Sequence, residues 1–412
     1  MTIKEQQIAG ITLKSLTSKD EWQKVKLGDI AYEVSDRVDN PSKSGLDRFV
    51  GLEHFESGEF NIKRWGSTKD VTSAMKLFTS GDVLFARRNA YLKRASMASF
   101  NGVCSGDAIV LREKHEIIVE GFLVLILNTE DLWEHAISNA AGSMSKRVKW
   151  RDLAEYQFSL PPKDEQRRIV DILWAADEEK NSLILALESL QKLICAVGTE
   201  VFSNESNEPM LLGKLVAEGF LKFQTGPFGT VLKASSYVSE GIPIVNPTNM
   251  VDGKLITSNG PFVSYEESER LSRYRMQEGD IILGRKGEMG RVVYVTDEYE
   301  GYIVGSDCIR LRLNNDILQK KFLYYLLISP QVRSWLSNQA FGTTMPGVNE
   351  KTLAKIEVSI PSPSVQSEIV KTFQSLYDSL KIIQMKLEGC KILTKVLINH
   401  LLSDNFTDIS IA

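Results

Sequence analysis

Apolar residues fall along this chain in two alternating patterns. Over about 21–160, and again over about 209–360, they come in short runs punctuated by Gly, Asn and Asp, which predicts β-rich structure. Asp82-Val83-Leu84-Phe85, Ala108-Ile109-Val110-Leu111, Asp280-Ile281-Ile282-Leu283 and Gly290-Arg291-Val292-Val293-Tyr294-Val295 are the clearest strands, with helical interruptions such as Gln319–Ile328. A proline joint closes each region, Pro161-Pro162 and Pro361-Ser362-Pro363. After each joint the period changes to that of a long helix. Counting in sevens from Ile169 gives Ile169, Ala176, Leu183, Leu190 and Val197. Three positions further on lie Ile172, Ala186 and Leu193, with Glu179 and Glu200 interrupting that row. The second helix carries Ile369, Leu376, Ile383, Cys390 and Leu397, flanked by Phe373, Leu380, Leu387 and Leu401. Such heptads read as coiled-coil packing. Asp164 and Glu165 suit the first turn of the first helix, where the helix dipole favours negative charge. About 40 residues make a rod of roughly 60 Å. A coiled coil between two copies of the chain is one option. Pairing of the two rods of one chain, antiparallel, is the preferred one.

The chain also repeats itself. Ser143–Leu173 aligns with Thr343–Phe373 at an offset of 200, with eight of 31 positions identical, among them Val148/Val348, Ala154/Ala354, Pro161/Pro361, Gln166/Gln366 and Ile169/Ile369. Gly81-Asp82-Val83-Leu84 with Arg87 matches Gly279-Asp280-Ile281-Ile282 with Arg285 at an offset of 198, and Leu27-Gly28-Asp29 matches Leu212-Gly213-Lys214 at 185. A tandem duplication of about 200 residues, with loops inserted between shared landmarks, accounts for the changing offset. The expected organisation is a lead segment 1–20, a β-rich domain 21–160, a helix 161–204, a second β-rich domain 205–360, a second helix 361–404 and a tail 405–412. In class this is α+β: two tandem mixed α/β domains separated by two long helices that pair as an antiparallel coiled coil.

Composition adds bounds. At 43% hydrophobic and 25% charged residues, the 412-residue chain is neither disordered nor collagen-like. No unbroken run of about 18 apolar residues occurs, so no membrane span is expected, and the polar N-terminus lacks a signal-peptide core. Cys104, Cys195, Cys308 and Cys390 lie far apart, which reads as reduced thiols in a cytoplasmic protein. The net charge is −4, which by itself argues against a nucleic-acid ligand. Its distribution argues the other way. Lys63 to Arg94 holds eight basic residues against two acids, and Lys146, Arg147, Lys149 and Arg151 form a second cluster.

Candidate catalytic chemistry is thin. The four histidines stand alone, without metal-ligand spacing. Asn246-Pro247-Thr248-Asn249 lacks the second proline and the aromatic of an adenine-methyltransferase tetrad. Asp177-Glu178-Glu179-Lys180 has nuclease-like composition, but mid-helix it is expected to be a solvated charged face. No GxxxxGK(S/T) phosphate loop is present. What stands out is one basic loop per half. Arg87-Arg88-Asn89-Ala90-Tyr91-Leu92-Lys93-Arg94 occupies the place of Gly284-Arg285-Lys286-Gly287-Glu288-Met289-Gly290-Arg291. Arg can grip guanine edges bidentately, Asn suits adenine and Lys mainly meets phosphate. The DNA-binding candidates are therefore Arg87, Arg88, Asn89, Lys93, Arg94, Lys146, Arg147 and Lys149 in the first half. In the second they are Lys233, Asn246, Asn249, Arg285, Lys286 and Arg291.

With those motifs in place the chain resembles the specificity subunit of type I restriction-modification systems. The resemblance rests on Gly81 to Asn89, Thr225-Gly226-Pro227-Phe228-Gly229-Thr230 and Gly241-Ile242-Pro243-Ile244-Val245-Asn246. It rests above all on Leu160-Pro161-Pro162-Lys163-Asp164-Glu165-Gln166-Arg167 with its second copy Ile360-Pro361-Ser362-Pro363-Ser364-Val365-Gln366. It covers almost the whole chain. It implies that each β-rich segment is a target-recognition domain reading one half of a split double-stranded DNA sequence. The paired helices would set the gap between the halves and dock two methyltransferase subunits, which bind S-adenosylmethionine. Restriction subunits using ATP and magnesium would join the larger complex, and this chain would itself be non-catalytic and hold no cofactor. The other readings are a coiled-coil scaffold for protein partners and a specificity subunit of a methylation-only system.

Overall fold

Alternate residues of the central strands face two different cores, which is why those strands read as unbroken apolar runs. The structure, a computed structural model, describes residues 19–142, 145–202, 209–286, 290–339 and 347–403. The lead segment up to residue 18, residues 404–412 and Gly287-Glu288-Met289 of the second basic loop lie outside the described residues. Two units divide the chain, Met1–Leu185 with Met385–Ala412, and Ala186–Gln384.

In the first unit a four-stranded antiparallel sheet runs in the order Ala31–Val34, Ala108–Glu113, Val83–Ala86, Ala95–Met97. Val83, Phe85, Ile109 and Leu111 point into a core shared with the helix Phe122–Ile126 and Trp133. Leu84, Ala86, Ala108 and Val110 point to the other side, against Val50, Phe55 and Phe78. A five-stranded sheet built around Gly102–Cys104 lies beyond. The second unit repeats the four-stranded sheet as Leu221–Thr225, Cys308–Leu313, Ile281–Gly284, Val292–Tyr294. Ile281, Leu283, Ile309 and Leu311 face one core, Ile282, Val293 and Cys308 the other. All four cysteines are free thiols, and burial pushes Cys104 up to about 12.

The shared Gly-Asp signature builds the entry to the central strand. Gly81 (φ +92°) and Gly279 (φ +85°) take a left-handed turn that L side chains rarely adopt. The following carboxylate is buried in each unit. Asp82 accepts from the Thr79 amide at 2.7 Å and binds Arg112 in a two-pronged pair, Nε to Oδ1 at 2.6 Å and Nη2 to Oδ2 at 2.8 Å. Asp280 does the same with the Gln277 amide at 2.8 Å and with Arg312 at 2.7 and 2.6 Å. In the second unit Arg310, 3% exposed, also lies 3.8 Å from Asp280. Leu-Gly has a structural reason too. The Gly28 and Gly213 amides donate to the Ala154 and Ala354 carbonyls at 3.0 and 2.9 Å, and a Cβ on either glycine would crowd that alanine.

The two long helices are Lys163–Phe202 and Pro363–Leu402, 40 residues each. One glutamine anchors each of them. Gln166 Oε1 accepts from the Val119 amide at 3.0 Å, and its Nε2 donates to Pro161 O at 2.9 Å. Gln366 Oε1 accepts from the Gln319 amide at 2.7 Å, and its Nε2 donates to Pro361 O at 2.8 Å and Ile317 O at 2.9 Å. Both side chains are fully buried.

Within the first unit, Ile398, Leu401 and Leu402 from the end of the second helix share a core with Ile169 and Leu173 from the start of the first. Cys390 Sγ donates there to the Ala176 carbonyl at 3.5 Å. Within the second unit, Ile194 from the end of the first helix, with Val197 and Val201 packed on the same core, meets Phe373 from the start of the second. The start of one helix thus accompanies the end of the other in both units, the antiparallel pairing preferred above to a coiled coil between two copies. The first helix has an 18-residue window of mean hydropathy 1.4, enough by length and composition to cross a membrane. Leu190, Val197 and Val201 of this helix pack, partly buried, on the second unit's core.

Two expectations about that helix are corrected. Its second inward row lies four residues beyond Ile169, with Leu173, Lys180 and Ile194 buried and Leu187 and Val201 half-buried, whereas Leu193 is 49% exposed. Positions three and four further on both adjoin the first row, and only the side on which the partner packs decides between them. Asp177 and Lys180 are not on a solvated face either. Both are buried, with Lys180 Nζ 2.6 Å from Asp177 and 3.1 Å from Glu59, while Glu178 and Glu179 are exposed. Burial works against the Lys180 ammonium, but Asp177 and Glu59 hold its pKa above the ordinary lysine value.

Gln166→Ala should leave the Val119 amide and the Pro161 carbonyl without partners, at about 2–3 kcal/mol. Hydrogen exchange at Val119 should then accelerate at least tenfold, and unchanged exchange would show that the glutamine does not hold the joint. Asp280→Ala should cost about 3–5 kcal/mol because it strands the buried Arg310 as well as Arg312. Asp82→Ala should cost less, since Arg112 is more exposed. Chemical denaturation of the full chain compares the two variants, and equal losses would refute this ranking.

Candidate nucleic-acid interface

The strands Val83–Ala86 and Ile281–Gly284 each deliver an arginine to the same place. The Arg87 amide donates to the Asp107 carbonyl at 3.0 Å, and the Arg87 carbonyl accepts from the Val148 amide at 2.9 Å. The Arg285 amide donates to Asp307 O at 2.8 Å, and its carbonyl accepts from the Val348 amide at 2.9 Å. The backbone is therefore fixed from both sides in both units. Each side chain is half-buried, and each Nε is buried without a hydrogen-bond partner. Neither guanidinium has an acidic partner among the described residues. A buried donor left open is costly unless something fills it.

The residues beside these arginines are paired. Arg147 Nε binds Asp107 Oδ1 at 2.7 Å, and Arg88 Nη1 lies 3.5 Å from Oδ2 while its Nε donates to Ser145 Oγ at 2.8 Å. The hydrogen bond from Arg147 holds the Asp107 carboxyl below the ordinary aspartate value. In the second unit Lys286 Nζ meets Asp307 Oδ1 at 2.7 Å. Lys286 bridges to Gly347 where Arg88 bridges to Arg147, so the position that carries a charge in one unit carries none in the other.

Other candidates divide. Lys146, Lys149 and Lys233 are exposed. Asn89 and Lys93 both have positive φ and bracket a short turn that leaves Tyr91 65% exposed, an aromatic that charge counting alone does not single out. Lys93 contacts Glu130. Arg94 is drawn inward, its Nη1 donating to Leu52 O at 2.8 Å, and burial lowers its pKa. Asn246 opens the turn Pro247–Asn249. Asn249 is buried, with Nδ2 donating to Ile256 O at 3.0 Å and Gly260 O at 3.2 Å, and Arg291 Nη1 donates to Pro247 O at 2.7 Å. These last two brace the loop from inside. The basic run from Lys63 to Arg94 is not one patch: Lys63 contacts Glu59, Arg64 pairs with Glu56, and Lys76 is buried against Glu33. The residues that sequence reading missed are Asp107, Asp307 and Ser145. No charge run or motif marks them, because their role comes from what folds beside them.

Comparison with known proteins gives the family and the fold. The family model of the type I restriction modification DNA specificity domain matches twice, at residues 19–189 and 229–389. The specificity subunit of the type I restriction enzyme MjaVIII of Methanocaldococcus jannaschii is 20% identical over 409 residues, covering 95% of this chain and 94% of that protein. That of EcoDI from Escherichia coli is 24% identical over 200 residues, 47% of this chain and 44% of the relative. The crystal structure of a type I restriction-modification S subunit from M. genitalium shares the fold with a TM-score of 0.59 at 16% identity, over 95% of this chain and 97% of the other. A chain from a structural study of type I system assembly and conformational transition aligns with a TM-score of 0.56 at 19% identity, over 92% and 97%. With both halves matched by the family model, the chain belongs to the type I restriction-modification DNA specificity family, the non-catalytic part of these systems that recognises DNA sequence.

Proposed function

We propose that this chain reads a split, asymmetric double-stranded DNA target, one half with each unit. The observation that carries the reading is the pair Arg87 and Arg285, equivalent in the duplication and fixed in backbone, each with a buried Nε that no described residue satisfies. A guanine edge offers two acceptors to such a guanidinium, and that contact is worth about 1–3 kcal/mol of discrimination. Lys146, Lys149 and Lys233 suit the phosphates. Related but unequal domains on one chain read unequal half-sites, whereas a symmetric homodimer imposes a palindrome.

In this reading the paired helices set the distance between half-sites and dock two methyltransferase subunits that bring S-adenosylmethionine, with ATP- and magnesium-dependent restriction subunits joining the full complex. Exposed apolar side chains on otherwise charged helices support the docking role. They are Leu185, Met385, Ile392 and Leu393 in the first unit, and Leu193 and Ile382 in the second.

Long-read detection of modified bases, in cells expressing the chain with its methyltransferase partner, should show methylated adenine confined to a split motif that vanishes when the chain is deleted. Arg87→Ala should relax or lose one half of the motif by roughly tenfold or more, and Arg285→Ala the other half. Methylation that persists without the chain, or equal loss at both halves from either variant, would sink the assignment. Removing one heptad from each helix should shorten the gap in the methylated motif, and unchanged spacing would separate the helices from that role.

A further inference from the structure

A carboxylate lies beside each basic loop, where it repels the phosphates that the loop is expected to approach. Asp107 and Asp307 stand 200 positions apart, at equivalent places in the duplication. Each does two things at once. Its backbone carbonyl holds the amide of the reading arginine, Arg87 or Arg285. Its side chain takes up the neighbouring basic residues, Arg88 and Arg147 in the first unit and Lys286 in the second. Neither carboxylate is deeply buried, with side-chain exposures of 22% and 37%, so core packing does not account for it. Beside each aspartate, the arginine with no acidic partner among the described residues is the one whose backbone that aspartate fixes.

We infer that Asp107 and Asp307 are specificity latches, positioning residues that hold Arg88, Arg147 and Lys286 against the domain so that these cations do not compete with the reading arginine for DNA. This rests on the reading of Arg87 and Arg285 given above. A cation released from its latch would swing to any phosphate, which adds affinity without sequence information. The latch therefore trades non-specific grip for discrimination. The two units differ in degree, since Asp107 restrains two arginines and Asp307 one lysine. The hydrogen bond from Arg147 keeps Asp107 charged, so its latch stays closed across the neutral range.

The test uses the full chain in complex with its methyltransferase subunit. Its probes are four duplexes: the methylated motif, the motif with either half scrambled, and a sequence without it. Asp107→Asn should bind the motif-free duplex several-fold more tightly at low salt. Its log affinity should fall more steeply with log salt, by up to about two in slope, against about one for Asp307→Asn. Discrimination should drop roughly tenfold at one half-site only, the same half that Arg87→Ala affects, and Asp107→Glu should restore it. Loss of local structure would weaken binding to every duplex, the opposite sign, and would overturn the latch. Unchanged discrimination with unchanged salt slope would overturn it equally. If Arg87→Ala itself leaves both half-sites intact, the reading of the arginines fails first. If Arg87→Ala removes one half-site and Asp107→Asn is silent, only the latch falls.

Discussion

A buried glutamine one turn into each long helix determines where that helix leaves its domain. Gln166 and Gln366 satisfy a loop amide and the carbonyl of the proline joint together, so the chain's change of direction at Pro161 and Pro361 is tied to the β-rich domain rather than to the helix alone. The side-chain amide both donates and accepts, and an apolar residue of the same size would leave buried backbone groups open. Everything downstream inherits this joint. The apolar rows of each helix meet their partners only if the helix begins at this angle and in this register.

The duplication preserved backbone and diversified charge. Around Arg87 and Arg285 the same two main-chain hydrogen bonds recur within 0.2 Å, and the Gly-Asp turns recur with the same two-pronged arginine. The side chains about that frame differ: Arg147 becomes Gly347 and Arg88 becomes Lys286. A frame held by main-chain bonds tolerates side-chain change at its surface, because no packing term depends on it. That is the physical condition for two domains of one architecture to recognise different sequences.

The helix joins its domain by different chemistry in the two units. In the first, Asp177 and Lys180 bury a charged cluster with Glu59. At the corresponding positions of the second stand Tyr377 and Leu380, and Tyr377 stacks on Tyr325 and Phe373. A buried ion pair contributes little net stability, but it tolerates no apolar mismatch. An aromatic stack gains from area and tolerates no stranded charge. Each helix segment is thereby matched to its own domain.

The duplicated plan, the strand–joint–helix order and the basic loops were legible in the sequence, because period, proline and glycine act locally and repeat at a fixed offset. The second helix's flanking row was legible for the same reason. The first helix's row was displaced by one position, since Ile172 and Leu173 are equally apolar and only the partner chooses between them. Asp177 and Lys180 looked like a solvated face because charge in a helix is usually solvated, and nothing nearby in sequence announces Glu59, more than a hundred residues away. Arg94, Asn249 and Arg291 carry the residue types of DNA contacts, yet their hydrogen bonds turn inward. Asp107 and Asp307 lie in no charge run or motif, and only their shared offset of 200 links them. The sequence by itself determined the elements, their repetition and the place of the basic loops. The tertiary structure alone decided which charges are neutralised and which arginines stay open, because the partner of a side chain is set by contacts distant along the chain.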